Sequence, residues 1–456
     1  MPRVPLLCIT LAAAALAEDW TRFRGPAGSG VSEDTGFPSE LSTTKTLAWR
    51  VPVRPGKASP VLTKDRVLLT GAEKGKLYTQ CFDRKTGKLL WERAEDQART
   101  ETVNTLNHGA APTPVTDGEN VYVFFKDLGL ISYDSAGKTR WKTRLGPFTN
   151  TMGLGSSPIL AGDSVIVTAD QMDGSYIAAF DRRNGEIRWK TQRDETDGWG
   201  TAIERGGRIL TVSRGQFGVH SASTGKREYT MRGVPVAVVS SPVLLDDRMY
   251  LFGYGNDEPA PFPARLAKLD KNGDGQLTED EYGIDPFLLG IAKYTGNRDM
   301  IITKEKWEAK QREILGPNGM MALKLESDGN GGIRARELWR YDKSFTGVIP
   351  SPVVYGKVVY TVKNGGILTS LDADTGKPLK TGRIDGALGG YSSSPVAADG
   401  KLYLASEDGN VAVLKAGGDW SVLSVTDLGE PCHATPALSG GAVYLRTAAA
   451  LYRFGR

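Results

Sequence analysis

A small residue followed by proline recurs along this chain, and its spacing limits the fold more than any other feature. It stands at Ser59-Pro60, Thr113-Pro114, Ser157-Pro158, Ser241-Pro242, Ser351-Pro352, Ser394-Pro395 and Thr435-Pro436, with a weaker copy at Thr201-Ala202. Measured on the second residue of each pair, the steps are 54, 44, 44, 40, 110, 43 and 41 residues. Units of about 40–45 residues mark a repeat architecture, and the long step then holds an insertion of roughly 65 residues.

Each of the eight units continues alike. Apolar residues follow the proline, then a turn and an alternating strand such as VYVFF or VVYTV. A Gly turn leads to a third strand ending in Asp, and a further turn leads to a fourth strand ending in Trp. The last turn and strand read DRKTGKLLW (Asp83–Trp91), DSAGKTRW (Asp134–Trp141) and DRRNGEIRW (Asp181–Trp189). Looser copies are SASTGKREY (Ser221–Tyr229) and DADTGKPLK (Asp372–Lys380). Thr-Gly or Asn-Gly supplies the positive φ of a tight hairpin, and the Asp before it bonds the turn's own backbone. The terminal aromatic is large enough to fill the gap between neighbouring sheets. Four short strands per unit, repeated radially, describe a β-propeller.

Closure is legible as well. The last unit, PCHATPALSGGAVYLRTAAALYRFGR, holds three strands and lacks the Trp strand. KTLAWRVPV (Lys45–Val53), ahead of the first unit, resembles the missing fourth strand. Pairing the two ends in one blade removes exposed edges.

Residues 1–17 fit a secretory leader, with Arg3 as n-region, Val4–Leu16 as a short apolar run and Ala15-Leu16-Ala17 as the cleavage site. Export to the periplasm or the exterior is the expectation, with the mature chain starting at Glu18. The run is short for a membrane span. Lys plus Arg is 57 and Asp plus Glu 53, a net charge of +4 with no basic run, which argues against nucleic acid as a partner. Cys81 and Cys432 fall in the first and last repeats. Two buried small hydrophobes are expected, although an oxidising compartment also permits a bridge.

DGKLYLASEDGNVAVL, LDADTGK and FDRRNGEIRW resemble the PQQ-like, tryptophan-docking β-propeller repeat, over about Lys45 to the C-terminus apart from the insertion. The family includes an eight-bladed, non-enzymatic lipoprotein of the outer-membrane β-barrel assembly machine. DWTRFRGPAGSGVSE (Asp19–Glu33) is similar to the N-terminal segment of a secreted PQQ-binding-like subfamily. The resemblance implies fold and leaves function open. Quinoprotein dehydrogenases share such blades but set PQQ over a disulfide of adjacent cysteines, above a Trp and beside a calcium ion. This chain has no adjacent Cys pair and no C-x-x-C-H. Trp49, Trp91, Trp141, Trp189 and Trp339 occupy strand-end repeat positions, where they are expected to join blades. PQQ is therefore not expected, and no catalytic residues are assigned. His108 and His433 precede innermost strands, so they should face the central channel.

The insertion carries LDKNGDGQLTEDEY, a full D-x-[DN]-x-[DN]-G-x₅-E calcium loop. Asp270, Asn272 and Asp274 fall on positions 1, 3 and 5, and Gly275 falls on the sharp turn at 6. Gln276 offers its carbonyl at 7, Thr278 reaches the ion through water at 9, and Glu281 is the bidentate ligand at 12. Thr295–Trp307 reads as a second copy. Asn297 and Asp299 match positions 3 and 5, but Met300 replaces the Gly and Lys306 the Glu. This half is expected to be metal-free and to set Ile302 beside Leu277.

The sequence thus predicts an all-β, eight-bladed propeller with a small helical EF-hand insertion in the fifth blade. The leader is 1–17, a strap 18–44, the propeller 45–456 and the insertion 261–313. The first functional expectation is a monomeric, exported, one-calcium, non-catalytic scaffold for an envelope or secreted protein. The alternatives are a PQQ-dependent or other cofactor-binding oxidoreductase with an atypical site, and a carbohydrate- or envelope-binding module. The insertion is expected to decorate the ring.

Overall fold

The computed structural model describes residues 19–455 apart from 98–106, 108, 127, 151, 237–238, 254, 256–259, 298, 314, 330 and 344–348. The expected leader and His108 lie outside the described residues. Eight four-stranded antiparallel sheets form the propeller. Blades 1 to 7 span 61–96, 115–144, 159–192, 203–232, 243–341, 353–383 and 396–427. Blade 8 joins Ala437–Ser439, Ala442–Arg446 and Ala450–Phe454 to Leu47–Pro52. That last strand pairs antiparallel with Ala450–Phe454, with Val51 opposite Leu451. The ends close one blade, as their complementary sequences predict.

The strand patterns follow from position. A second strand is covered on both faces by neighbouring blades, so every residue of Val121–Phe125 is buried. An outer strand faces solvent on one side, and Ile187–Gln192 nearly alternates between exposed and half-buried.

The repeat marker has a structural reason. The Ser59 backbone N–H donates to Thr113 Oγ1, that of Thr113 to Ser157 Oγ, and so on through Thr201, Ser241, Ser351, Ser394 and Thr435. The Thr435 N–H donates back to Ser59 Oγ. All eight bonds measure 2.9 to 3.1 Å and run in one direction around the axis. A hydroxyl is required at every marker because the preceding blade's N–H is buried and needs an acceptor. Thr201, the weak copy, keeps the hydroxyl and loses only the proline.

The five repeat tryptophans lie between blades. The indole N–H of Trp91 donates to the Ser135 carbonyl of the next blade at 3.1 Å. Trp49, Trp141, Trp189 and Trp339 do the same to Arg84, Arg182, Ala222 and Ala373. Each ring also covers a turn glycine: Gly137 has φ +76, and a Cβ there would lie 2.5 Å from the Trp91 ring. Only Gly gives both that backbone angle and that approach.

At the blade 8 to blade 1 junction Arg446 is fully buried and donates to the Ala58, Thr70 and Arg54 carbonyls. Cys81 and Cys432 are both free and buried, so they are not bridged. Burial pushes each thiol up to about 12.

The strap crosses one face of the ring. Trp20 pairs with Leu62 through two backbone bonds, and Thr116 N–H donates to Thr21 O. Arg22 reaches the Ala202 carbonyl and Arg24 the Pro352 carbonyl. Gly30 and Ser32 pair with Ala397. The strap thus touches blades 1, 2, 4, 5, 6 and 7, and Asp34 accepts from the Gly440 N–H of blade 8.

Blade 5 is interrupted between Arg248–Gly253 and Gly319–Ser327, whose register closes with Gly253 opposite Gly319. Among the described residues four helices lie between them, α1 (Phe262–Leu269), α2 (Glu279–Tyr282), α3 (Pro286–Tyr294) and α4 (Lys304–Glu313). They hold their own small core of Phe262, Leu277, Tyr282, Leu288, Ile291, Ala292, Ile302 and Trp307.

Candidate functional site

The 270–281 loop links α1 to α2, and its backbone is organised by its own acidic side chains. Asp270 accepts from the Gly273 and Gly275 N–H groups at 2.7 and 3.1 Å. Asn272 Oδ1 accepts from Asp274 N–H, and Asp274 Oδ1 from Gln276 N–H. Gly275 has φ +79, the left-handed turn that position 6 needs. Thr278 and Glu281 form a capping box at the start of α2. Glu281 also accepts from the Lys271 and Asn272 N–H groups. The Thr278 N–H first, then that of Lys271, hold this carboxyl down to about 2, so it is ionised.

The donor set is oxygen throughout, with three carboxylates and one amide, which suits a hard divalent cation. Among the described residues no three His, Cys, Asp or Glu groups are gathered as a metal cage. Glu281 is engaged by the N–H groups of Lys271, Asn272 and Thr278. Leu277 and Ile302 exchange two backbone bonds of 3.1 and 2.9 Å, as the second copy predicts. The short helices do not prevent this pairing.

A second feature lies on the propeller axis. A cavity of about 400 Å³ is lined by all eight marker residues. Phe23 of the strap lines it, as do Phe287 and Gly290 of α3 and Lys310 of α4. The insert is therefore more than a decoration, because α3 and α4 reach the axis and share the cavity wall with the ring. Lys57, Asn107, Asp197, Arg214, Ser392 and His433 add to the polar lining. His433 does face the axis, and its pKa is lowered by burial first and by Lys57 second.

His220 stands elsewhere, fully buried in blade 4. Its Nε2 lies 3.1 Å from Arg193 Nη1, and Arg193 is itself clamped by Asp170 and Glu195. Nothing local in DWTRFRG says which carbonyls its arginines reach, so the path of the strap is set by contacts that no sequence pattern marks.

A family model described as outer membrane protein assembly factor BamB matches residues 39–173, 173–313 and 333–453. The curated outer membrane protein assembly factor BamB of Bordetella pertussis (strain Tohama I) is 29% identical over 113 residues. That alignment covers 25% of this chain and 24% of the relative, about a quarter of its length. Among solved structures, BamB from Moraxella catarrhalis is similar with a TM-score of 0.58 and 13% identity, covering 90% of this chain and 97% of that one. A europium-containing methanol dehydrogenase gives a TM-score of 0.59 at 11% identity, covering 96% and 98%. At such identities the likeness is one of fold.

Proposed function

The chain belongs to the outer membrane protein assembly factor BamB family, and on that premise we propose that it is an exported, non-catalytic scaffold that docks an envelope or secreted protein and carries one calcium ion in its fifth-blade insert. The observation that carries the scaffold reading is the placement of the five repeat tryptophans. Each indole N–H is bonded to the next blade's backbone, so these rings serve blade junctions. The relatives described as assembly factors point to protein partners for the outer surface.

For the ion, Asp270, Asn272, Asp274 and Glu281 would supply side-chain oxygens and Gln276 its carbonyl, with Thr278 acting through water. Bound calcium would supply the positive charge that these carboxylates lack, tying α1 to α2. The chain's own residues do the rest. Gly275 makes the turn, Thr278 caps α2, and Leu277 fixes the loop to Ile302. Glu281 would exchange backbone N–H partners for the ion. Titrating chelator-treated protein by calorimetry should give one equivalent of calcium, and none or two overturns the ligand assignment.

A second reading, a cofactor-binding oxidoreductase, is favoured by the axial cavity of about 400 Å³. Adding PQQ and assaying dye-linked alcohol or sugar oxidation separates the two. Stoichiometric quinone binding with activity overturns the scaffold reading. A pull-down from envelope extract, with each captured protein then titrated against pure scaffold, identifies the partner.

A further inference from the structure

The second loop of the insert already contains a cation. Lys306 stands where the first loop has Glu281, and its side chain is only 7% exposed. Its ammonium donates to Asp299 Oδ1 and, at 2.8 Å, to the Ile301 carbonyl. In the alignment with the first loop these are the position 5 carboxylate and the position 7 carbonyl, two groups that ligate an ion in such loops. Asn297, at position 3, bonds the other oxygen of Asp299 at 2.7 Å. Met300, at position 6, repeats the left-handed turn of Gly275, with φ +65 against +79. A non-glycine residue keeps that angle only where its surroundings hold it there.

Charge separates the two loops. Residues 270–281 carry five acidic side chains and one Lys, while 295–306 carry two acidic side chains and three basic ones. The first loop is strongly net negative, while the second carries one more basic than acidic side chain. The two meet at the Leu277–Ile302 bridge, where both residues are fully buried.

We propose that the Lys306 ammonium is a permanent substitute for the second loop's metal ion, holding the paired unit together without calcium and making Lys306 a positioning residue for the first loop. This deepens the calcium reading and rests on it for its effect on affinity. The pairing itself is independent of that reading. A paired calcium module ordinarily gains order from two ions. Here one is built in, so the first loop binds its ion to a preformed partner.

The test uses the full chain in chelator. Amide hydrogen exchange is read at Leu277 and Ile302, beside blade amides such as Val123 as internal reference. In the parent both insert amides are expected to be protected. Lys306→Met removes the ammonium at similar length and should speed their exchange roughly tenfold or more, the blade amides staying unchanged. Asp299→Asn, which weakens the same contact from the other side, should do likewise, and Lys306→Arg should restore protection in part. Lys306→Glu, which restores the position 12 carboxylate, should raise calorimetric stoichiometry from one calcium to two. Parent-like exchange in both Lys306→Met and Asp299→Asn overturns the proposal. A parent that binds no calcium, with both variants still speeding exchange, overturns the calcium reading alone.

Discussion

The backbone N–H of Thr435 donates to the hydroxyl of Ser59 across 376 positions of sequence, at 3.0 Å, and this bond closes the circle of eight around the axis. It lies at the junction where blade 8 meets blade 1, beside the strand supplied by the N-terminal segment. Ser59→Ala leaves the Thr435 N–H buried without an acceptor, which should cost about 1–3 kcal/mol. Ser59→Thr keeps the hydroxyl, as Thr113 and Thr201 do, and should cost much less. Urea unfolding of the two variants checks this; equal losses would mean that volume rather than the hydroxyl matters.

Trp91 and Gly137 should couple strongly. Trp91→Ala removes a largely buried ring and should cost about 3–5 kcal/mol. Gly137→Ala meets the Trp91 ring at 2.5 Å and also places an L-residue at φ +76. With the ring gone only the backbone penalty of roughly 1–2 kcal/mol remains. A double-mutant cycle should therefore show the second substitution cheaper than the first pair of costs implies. Additive losses would sink the docking account.

Removing Lys45–Val53 should expose the outer edge of Ala450–Phe454, which Leu47–Pro52 now covers. Light scattering should then show aggregation and the melt should lose cooperativity. A monodisperse, parent-like deletion would contradict closure through this strand.

The ring was legible because its demands are local and repeated. Every blade needs one hydroxyl at the same place, and the Trp and turn-Gly positions recur with it, so Ser59 and Trp91 announce themselves. The pairing of Leu277 with Ile302 was legible for the same reason, since two copies of one loop can be aligned. What was hidden occurs once and over long range. Arg24 meets Pro352 across 328 positions, and Phe287 and Lys310 reach the axial cavity from an insertion that sequence alone reads as a decoration of the fifth blade. No period marks such contacts.

Acid should weaken the fold through His220. Burial first, and Arg193 second, lower its pKa from 6.5 to about 4. Between these values the unfolded chain binds a proton that the folded chain refuses, so stability rises with pH. The contribution is intact above about pH 6.5 and falls by about 3 kcal/mol on the way to pH 4. His220→Gln does not titrate, so its urea stability should decline less over this window than the parent's. Parallel slopes would show that His220 is not the group responsible.

Calcium should be visible from Trp307. Its ring lies 5.7 Å from Phe262, which opens the helix leading into the first loop, and 6.1 Å from Phe287, which lines the axial cavity. An ion that ties α1 to α2 changes the packing of Phe262 and therefore the emission of Trp307. Calcium added to chelated protein should shift the fluorescence with one-site saturation, and Trp307→Phe should abolish the shift while leaving the calorimetric equivalent intact. Glu281→Gln deletes a charged ligand and should weaken binding roughly ten- to hundredfold, in line with the cost of losing a charged partner. At free calcium 100 times Kd the parent should gain about 2.7 kcal/mol. Because α3 and α4 share the cavity wall with the ring, part of that gain should reach the blades. Exchange of blade 5 amides such as Leu251 and Met321 should slow on adding calcium, while those of blades 1 and 8 stay constant. Uniform slowing across all blades would contradict an effect carried through the insert.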